Sequence, residues 1–139
     1  MTKFAKIINK NKENFLIKKF IGLFKRKIKS KGKSRFSFVL TGGKSPIKLY
    51  RRLAKDKWIP WKKVDFFIGD ERCVSENSKY SNINMCKKNF LDKIPISNKQ
   101  IYKISINKKN PKKISRDYEK TIKKYFLRKK ISFDLILLG

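Results

Sequence analysis

Residues Phe36 to Tyr50 read FSFVLTGGKSPIKLY, joining a buried strand, a tight polar loop and the start of a helix. Phe36, Phe38, Val39 and Leu40 form a short apolar run of strand-favouring residues. Thr41-Gly42-Gly43-Lys44-Ser45 breaks that run. Two glycines permit positive φ and let a ligand approach bare backbone. Pro46 suits the first turn of a helix, where its missing N–H costs nothing. Ser45 stands just before it, in N-cap position. Ile47, Leu49, Tyr50, Leu53 and Ala54 follow with helical spacing.

The stretch points to anion binding. A helix N-terminus offers free N–H groups and the positive end of the helix dipole, and a glycine turn in front of it is a ready phosphate cradle. Lys44 adds a mobile positive charge, and Thr41 and Ser45 add hydroxyl donors. The competing reading of the same residues is a plain strand-to-helix turn with a capping serine.

On the C-terminal side, Val64 to Ile68 (VDFFI) reads as a second buried strand running into Gly69-Asp70-Glu71-Arg72-Cys73-Val74. Ligands of open α/β sheets bind outside the C-terminal ends of the strands. If the two strands are parallel neighbours, Asp70 and Arg72 converge on the glycine loop. Alternation places Asp70 and Arg72 on one side and Glu71 on the other, and arginine offers forked donors suited to phosphate. A surface salt-bridge cluster is the alternative.

The remaining chain supplies alternating helices and strands. Residues 4 to 29 carry a helical stripe through Leu16, Phe20, Leu23, Phe24 and Ile28, followed by a loop with Gly32. After the second helix, Trp58 and Trp61 are expected to pack at the core edge. Ser81 or Asn82 can cap a helix running to about Lys93. Gln100 to Ile104 reads as a third strand, 112 to 130 as a further helix, and Phe133 to Gly139 as a last apolar strand. The order implies one α/β domain over 1–139, its mostly parallel sheet covered by helices on both faces.

Composition narrows the class. The 139 residues, 40% hydrophobic with 11 Phe, suit a modest core. No apolar run reaches the ~20 residues of a membrane span, and no signal peptide is evident, so a cytoplasmic protein without membrane attachment is expected. Cys73 and Cys86 lack metal-ligand spacing and there is no His, so no metal site is expected and both thiols are read as buried and free. The formal charge of +29 attracts polyanions and would support non-specific nucleic-acid binding. The lysines are scattered rather than gathered, and the joint excess of Lys, Asn, Ile and Phe fits compositional drift.

Taken together, LTGGKSPIKLYRRLA (40–54), W-x-x-V-x-F-F-I-G-D-E-R-C-V (61–74), YSN (80–82) and FDLILLG (133–139) resemble the 6-phosphogluconolactonases. The resemblance is strongest from Phe36 to Leu91. The related glucosamine-6-phosphate isomerases usually carry D-E-Y where this chain has Asp70-Glu71-Arg72, and S-Y where it has Ser81-Asn82. The resemblance implies a Rossmann-like fold and hydrolysis of 6-phospho-D-glucono-1,5-lactone to 6-phosphogluconate, without metal or organic cofactor. It implies Thr41, Gly42, Gly43, Lys44, Ser45 and Arg72 as phosphate ligands. Asp70 and Arg72 match the family's active-site pair, with Asp70 positioning substrate hydroxyls and Arg72 clamping phosphate or lactone oxygens. Asn82 is a further substrate-contact candidate.

The family loop usually reads S-G-G-S-T-P, so Lys44 is a departure. The family also continues past an FDLILLG-like segment into G-x-D-G-H-x-A-S-L-F-P, whose histidine is the expected general base. On the resemblance the fold is incomplete at its C-terminal side. Three functions follow: a 6-phosphogluconolactonase that is split, truncated or working with a complementing C-terminal polypeptide; a truncated inactive remnant that at most binds sugar phosphates; or a basic nucleic-acid-binding protein. The last lacks a recognisable motif, and its aromatics fall at core-like positions.

Overall fold

The computed structural model describes residues 12–106, 110–127 and 130–139. The N-terminal part of the expected first helix, residues 4 to 11, lies outside them. Chain order is α1 (Glu13–Ser30), β1 (Phe36–Leu40), α2 (Ile47–Ala54), β2 (Val64–Ile68), α3 (Asn82–Asn89), β3 (Ile101–Tyr102), α4 (Pro111–Tyr125) and β4 (Leu135–Ile136). The four strands form one parallel sheet in the order β3-β2-β1-β4. Successive side chains of a strand face opposite sides, and both sides here are covered, so every residue of β1 and β2 is buried.

On one face, Phe36, Phe38, Leu40, Val64, Phe66 and Ile68 pack with Phe24 and Ile28 of α1, Tyr50 and Leu53 of α2, and Ile83 and Cys86 of α3. Phe24 is the hub, with ring contacts to Phe36, Phe38 and Trp61. On the other face, Phe67 meets Tyr102, Tyr125 and Phe133. This face also carries a buried charge. The carboxylate of Asp65, only 3% exposed, takes both arms of the Arg35 guanidinium and accepts from the Tyr125 hydroxyl at 2.9 Å. Three donors offset the desolvation of that charge. The Arg35 side chain itself is 49% exposed, so solvent screens part of this pair.

Element ends differ from the sequence-based expectation where tertiary contacts pull the chain aside. The third helix ends at Asn89 rather than near Lys93, because Phe90 leaves helical geometry at φ −147°. Its fully buried ring stacks on Tyr50 and meets Trp61 and Phe66 edge-on. The third strand is only Ile101–Tyr102; beyond it Lys103 is drawn to Glu76. The fourth helix stops at Tyr125. The last strand is Leu135–Ile136, half-exposed at the edge of the sheet, and just before it the Asp134 carboxylate accepts the Ser37 N–H. Leu137 still donates to the Val39 carbonyl.

Trp61 is buried as expected, but Trp58 is 86% exposed. Asp56 accepts the Trp58 N–H at 2.9 Å, a local turn that carries this ring outside the core. Cys86 is buried and free, whereas Cys73 is exposed. Among the described residues no helix is long and apolar enough to cross a membrane.

Candidate functional site

The C-terminal ends of β1, β2 and β4 open onto one cleft of about 530 Å³. Thr41, Gly42, Gly43 and Ser45 form its first wall, Gly69, Asp70 and Arg72 its second, and Ile136 to Gly139 its third. Parallel strands place the loops that follow them on the same edge, which brings Arg72 to the glycine loop. Lys44 is exposed and does not line the cleft.

Tyr50 holds the loop at its root. Its buried hydroxyl accepts from the Thr41 N–H at 3.0 Å and donates to the Thr41 carbonyl at 2.8 Å. One side chain thus occupies both polar groups of Thr41 and turns the chain out of the sheet. Gly42 then passes against the Asn82 amide, where an added Cβ would lie 2.1–2.3 Å from its atoms, so no larger residue fits. Gly43 has φ +80°, a conformation open to glycine at little cost. Among the described residues, nothing in the chain accepts from the N–H groups of Gly42, Gly43, Lys44 or Ser45. Unpaired backbone donors at the entry to a helix are the kind of group that holds anions.

The expected serine cap is not made. Pro46 occupies the N-cap position of α2, and no side chain caps that helix. Ser45 stands outside the helix, and its hydroxyl remains available to the cleft. At α3 the cap is Ser81, whose Oγ accepts from the Asn84 N–H at 3.2 Å.

Asp70 and Arg72 share the cleft while Glu71 turns away, as alternation requires. The Glu71 carboxylate accepts from the N–H groups of Asn82 (2.7 Å) and Ile83 (2.9 Å) and from the Ser81 hydroxyl (3.2 Å). A carboxylate at a helix N-terminus is favoured by the dipole and by the unpaired N–H groups there. Glu71 therefore fixes the segment that carries its two neighbours. Asn82, 4% exposed, donates through Nδ2 to the Asp70 carboxylate and the Asp70 carbonyl, both at 3.0 Å. It orients Asp70 from behind. The Arg72 guanidinium has no ion-pair partner among the described residues, so its positive charge faces the cleft uncompensated.

The Cys86 thiol lies 3.9 Å from the Thr41 carbonyl. Burial, aided by the Glu71 and Asp70 carboxylates, pushes its pKa up to about 12, which keeps it protonated and without nucleophilic character. Sequence reasoning missed the roles of Tyr50 and Glu71 and the cleft wall at 136–139. A buried tyrosine needs a partner for its hydroxyl, and the strand-end rule applies to FDLILLG as it does to the first two strands.

Residues 11–139 match the profile of the glucosamine-6-phosphate isomerases/6-phosphogluconolactonase family. The chain belongs to this family. Among its members, the 6-phosphogluconolactonase of Nostoc sp. is 34% identical over 112 residues, covering 78% of this chain and 46% of the relative. The 6-phosphogluconolactonase of Synechocystis sp. is 34% identical over 106 residues, covering 74% and 44%. The crystal structure of Thermotoga maritima 6-phosphogluconolactonase superposes with a TM-score of 0.77 at 27% identity, covering 91% of this chain and 54% of that one. The chain thus spans about half the length of the family members it matches. The α/β architecture, with its parallel sheet, is the one these lactonases share.

Proposed function

We propose that this chain holds the phosphate-binding half of a 6-phosphogluconolactonase, the enzyme that hydrolyses 6-phospho-D-glucono-1,5-lactone to 6-phosphogluconate. One observation carries the reading. The glycine loop, whose backbone N–H groups meet no acceptor among the described residues, lines the same cleft as Arg72, which has no ion-pair partner there, and a carboxylate, Asp70, aimed by a buried amide. The substrate phosphate sits on the N–H groups of Gly42 to Ser45, with the hydroxyls of Thr41 and Ser45 beside it. Arg72 closes over its oxygens with two parallel hydrogen bonds. Asp70 accepts from sugar hydroxyls, and Asn82 keeps it in place without touching substrate.

Hydrolysis adds water to the lactone carbonyl, breaks the ring C–O bond and leaves a carboxylic acid and a free hydroxyl. Activating that water calls for a base titrating near neutrality. The chain has no histidine, so the reading assigns it substrate capture and orientation. The imidazole would come from sequence beyond these 139 residues, in the same or a complementing polypeptide. Two unpaired cysteines suit a reducing, cytoplasmic setting.

The test is calorimetry with 6-phosphogluconate. Arg72→Ala should weaken binding by about 1.5–3 kcal/mol, the range for hydrogen bonds to charged groups. Unchanged affinity would remove Arg72 from the phosphate site. In parallel, these 139 residues alone should bind 6-phosphogluconate but leave the spontaneous rate of lactone hydrolysis unaltered. Acceleration would place a working base within the chain.

A further inference from the structure

Trp58 is an aromatic that the fold carries outward: its ring is 86% exposed while its neighbour Trp61 is 3% exposed. Two basic grooves meet at this ring. One lies between α1 and α2 and is lined by Lys18, Arg52, Lys55 and Lys57. The other runs beside the C-terminal part of α1 and is lined by Lys25, Lys29, Lys33 and Lys63. The first groove continues through the shared residues Lys18, Arg52 and Lys55 into a third hollow containing Lys48 and Arg51.

The carboxylates near this tract are already engaged. Asp56 pairs with Lys25 at 2.6 Å, and Glu13 pairs with Lys48. Lys18, Arg52, Lys55, Lys29 and Lys33 have no ion-pair partner among the described residues. Compositional drift accounts for scattered lysines, but not for a tryptophan presented between two cationic channels. An exposed indole costs free energy in water, about 25 cal/mol for each Å² of apolar surface left uncovered.

We propose that this face binds single-stranded nucleic acid, with a base stacked on Trp58 and the flanking phosphodiesters running into the two grooves. The chemistry suits that ligand. Non-specific single-strand binding combines a positive channel that follows the backbone with an aromatic face that accepts any base. Both parts are present and adjacent. The tract shares no lining residue with the cleft of the glycine loop, so this binding is separate from sugar-phosphate capture. The same contacts admit RNA and DNA.

A 12-nucleotide oligouridylate, titrated at physiological salt and followed by tryptophan fluorescence, tests the proposal. Trp61 is buried, so quenching reports on Trp58. Each stacked base is worth about 1–3 kcal/mol, roughly a 5- to 150-fold change in affinity. Trp58→Ala should therefore lose roughly that factor, while Trp58→Phe retains most of it. Heparin, a polyanion without bases, should bind the wild type and Trp58→Ala equally. In the Arg52→Glu/Lys55→Glu variant, the slope of log affinity against log salt should flatten by about 0.7 for each phosphate no longer neutralised. Saturating 6-phosphogluconate should leave oligonucleotide affinity unchanged. Equal oligouridylate affinity for the wild type and Trp58→Ala would reduce the interaction to bulk charge and overturn the proposal. Displacement by 6-phosphogluconate would relocate the oligonucleotide to the cleft and overturn it equally. The side chain is solvent-exposed, so the variants fold; far-UV circular dichroism checks this.

Discussion

Tyr50 concentrates two duties in one side chain. Its ring stacks on Phe90 in the core, and its hydroxyl closes on both polar groups of Thr41. Tyr50→Phe separates the two. The ring packing survives, while the Thr41 N–H loses its acceptor and the Thr41 carbonyl keeps only the Cys86 thiol at 3.9 Å. The expected cost is about 1–3 kcal/mol in urea unfolding, the penalty for buried polar groups left unmade. Binding of 6-phosphogluconate should weaken with it, because the loop donors lose their common anchor. A variant with unchanged stability and affinity would show that the hydroxyl positions nothing. Part of this site is legible in the sequence. Gly42 and Gly43 announce a turn, and Asp70 and Arg72 follow an apolar strand with the alternation that aims both at one cleft. Tyr50 is legible only as a helix-face aromatic, because its partner is a backbone group and backbone groups have no sequence signal.

At the level of elements, the segment between β2 and α3 is tied down by carboxylates more than by apolar contacts. Glu71 caps α3, and Glu76 bridges Lys87 on α3 and Lys103 after β3. The lysine hydrogen bonds, Lys103 first and then Lys87, hold the Glu76 carboxyl below its ordinary value of 4.5. A depressed folded-state pKa stabilises the fold above the unfolded value and stops doing so as pH falls through the folded one. Glu76→Gln should therefore be slightly less stable than wild type at pH 7, by under about 1 kcal/mol since the pair is partly exposed. That gap should shrink as pH falls below 4.5 and close as it passes the lowered folded-state value, as urea midpoints measured against pH would reveal. A gap that persists into acid would mean that Glu76 acts through packing. The helices and strands themselves follow from apolar runs and their period, but several ends do not. Phe90 leaves α3 because three rings in the core receive it, and Asp134 accepts the Ser37 N–H just before β4. Both are contacts between distant parts of the chain, and local pattern carries no record of them.

Across the whole molecule, the formal charge of +29 draws anions toward the protein, so capture of 6-phosphogluconate should be salt-sensitive. The parallel sheet follows from the alternation of strands and helices. The exposure of Trp58 does not, since a Trp-rich connection reads equally as a core edge. The clamp between Asp134 and Ser37 joins residues 97 positions apart and ties β4 to β1. β4 is a two-residue edge strand, so it is expected to open locally more readily than the five-residue central strands β1 and β2. Native-state hydrogen exchange should find the Leu137 amide opening at lower free energy than amides of β1 and β2, and equal protection would refute this order. Because β4 brings residues 136–139 to the cleft, this wall of the pocket exists only while that strand is docked. A sugar phosphate bound there would in turn hold that strand in place, stabilising the docked edge by mass action.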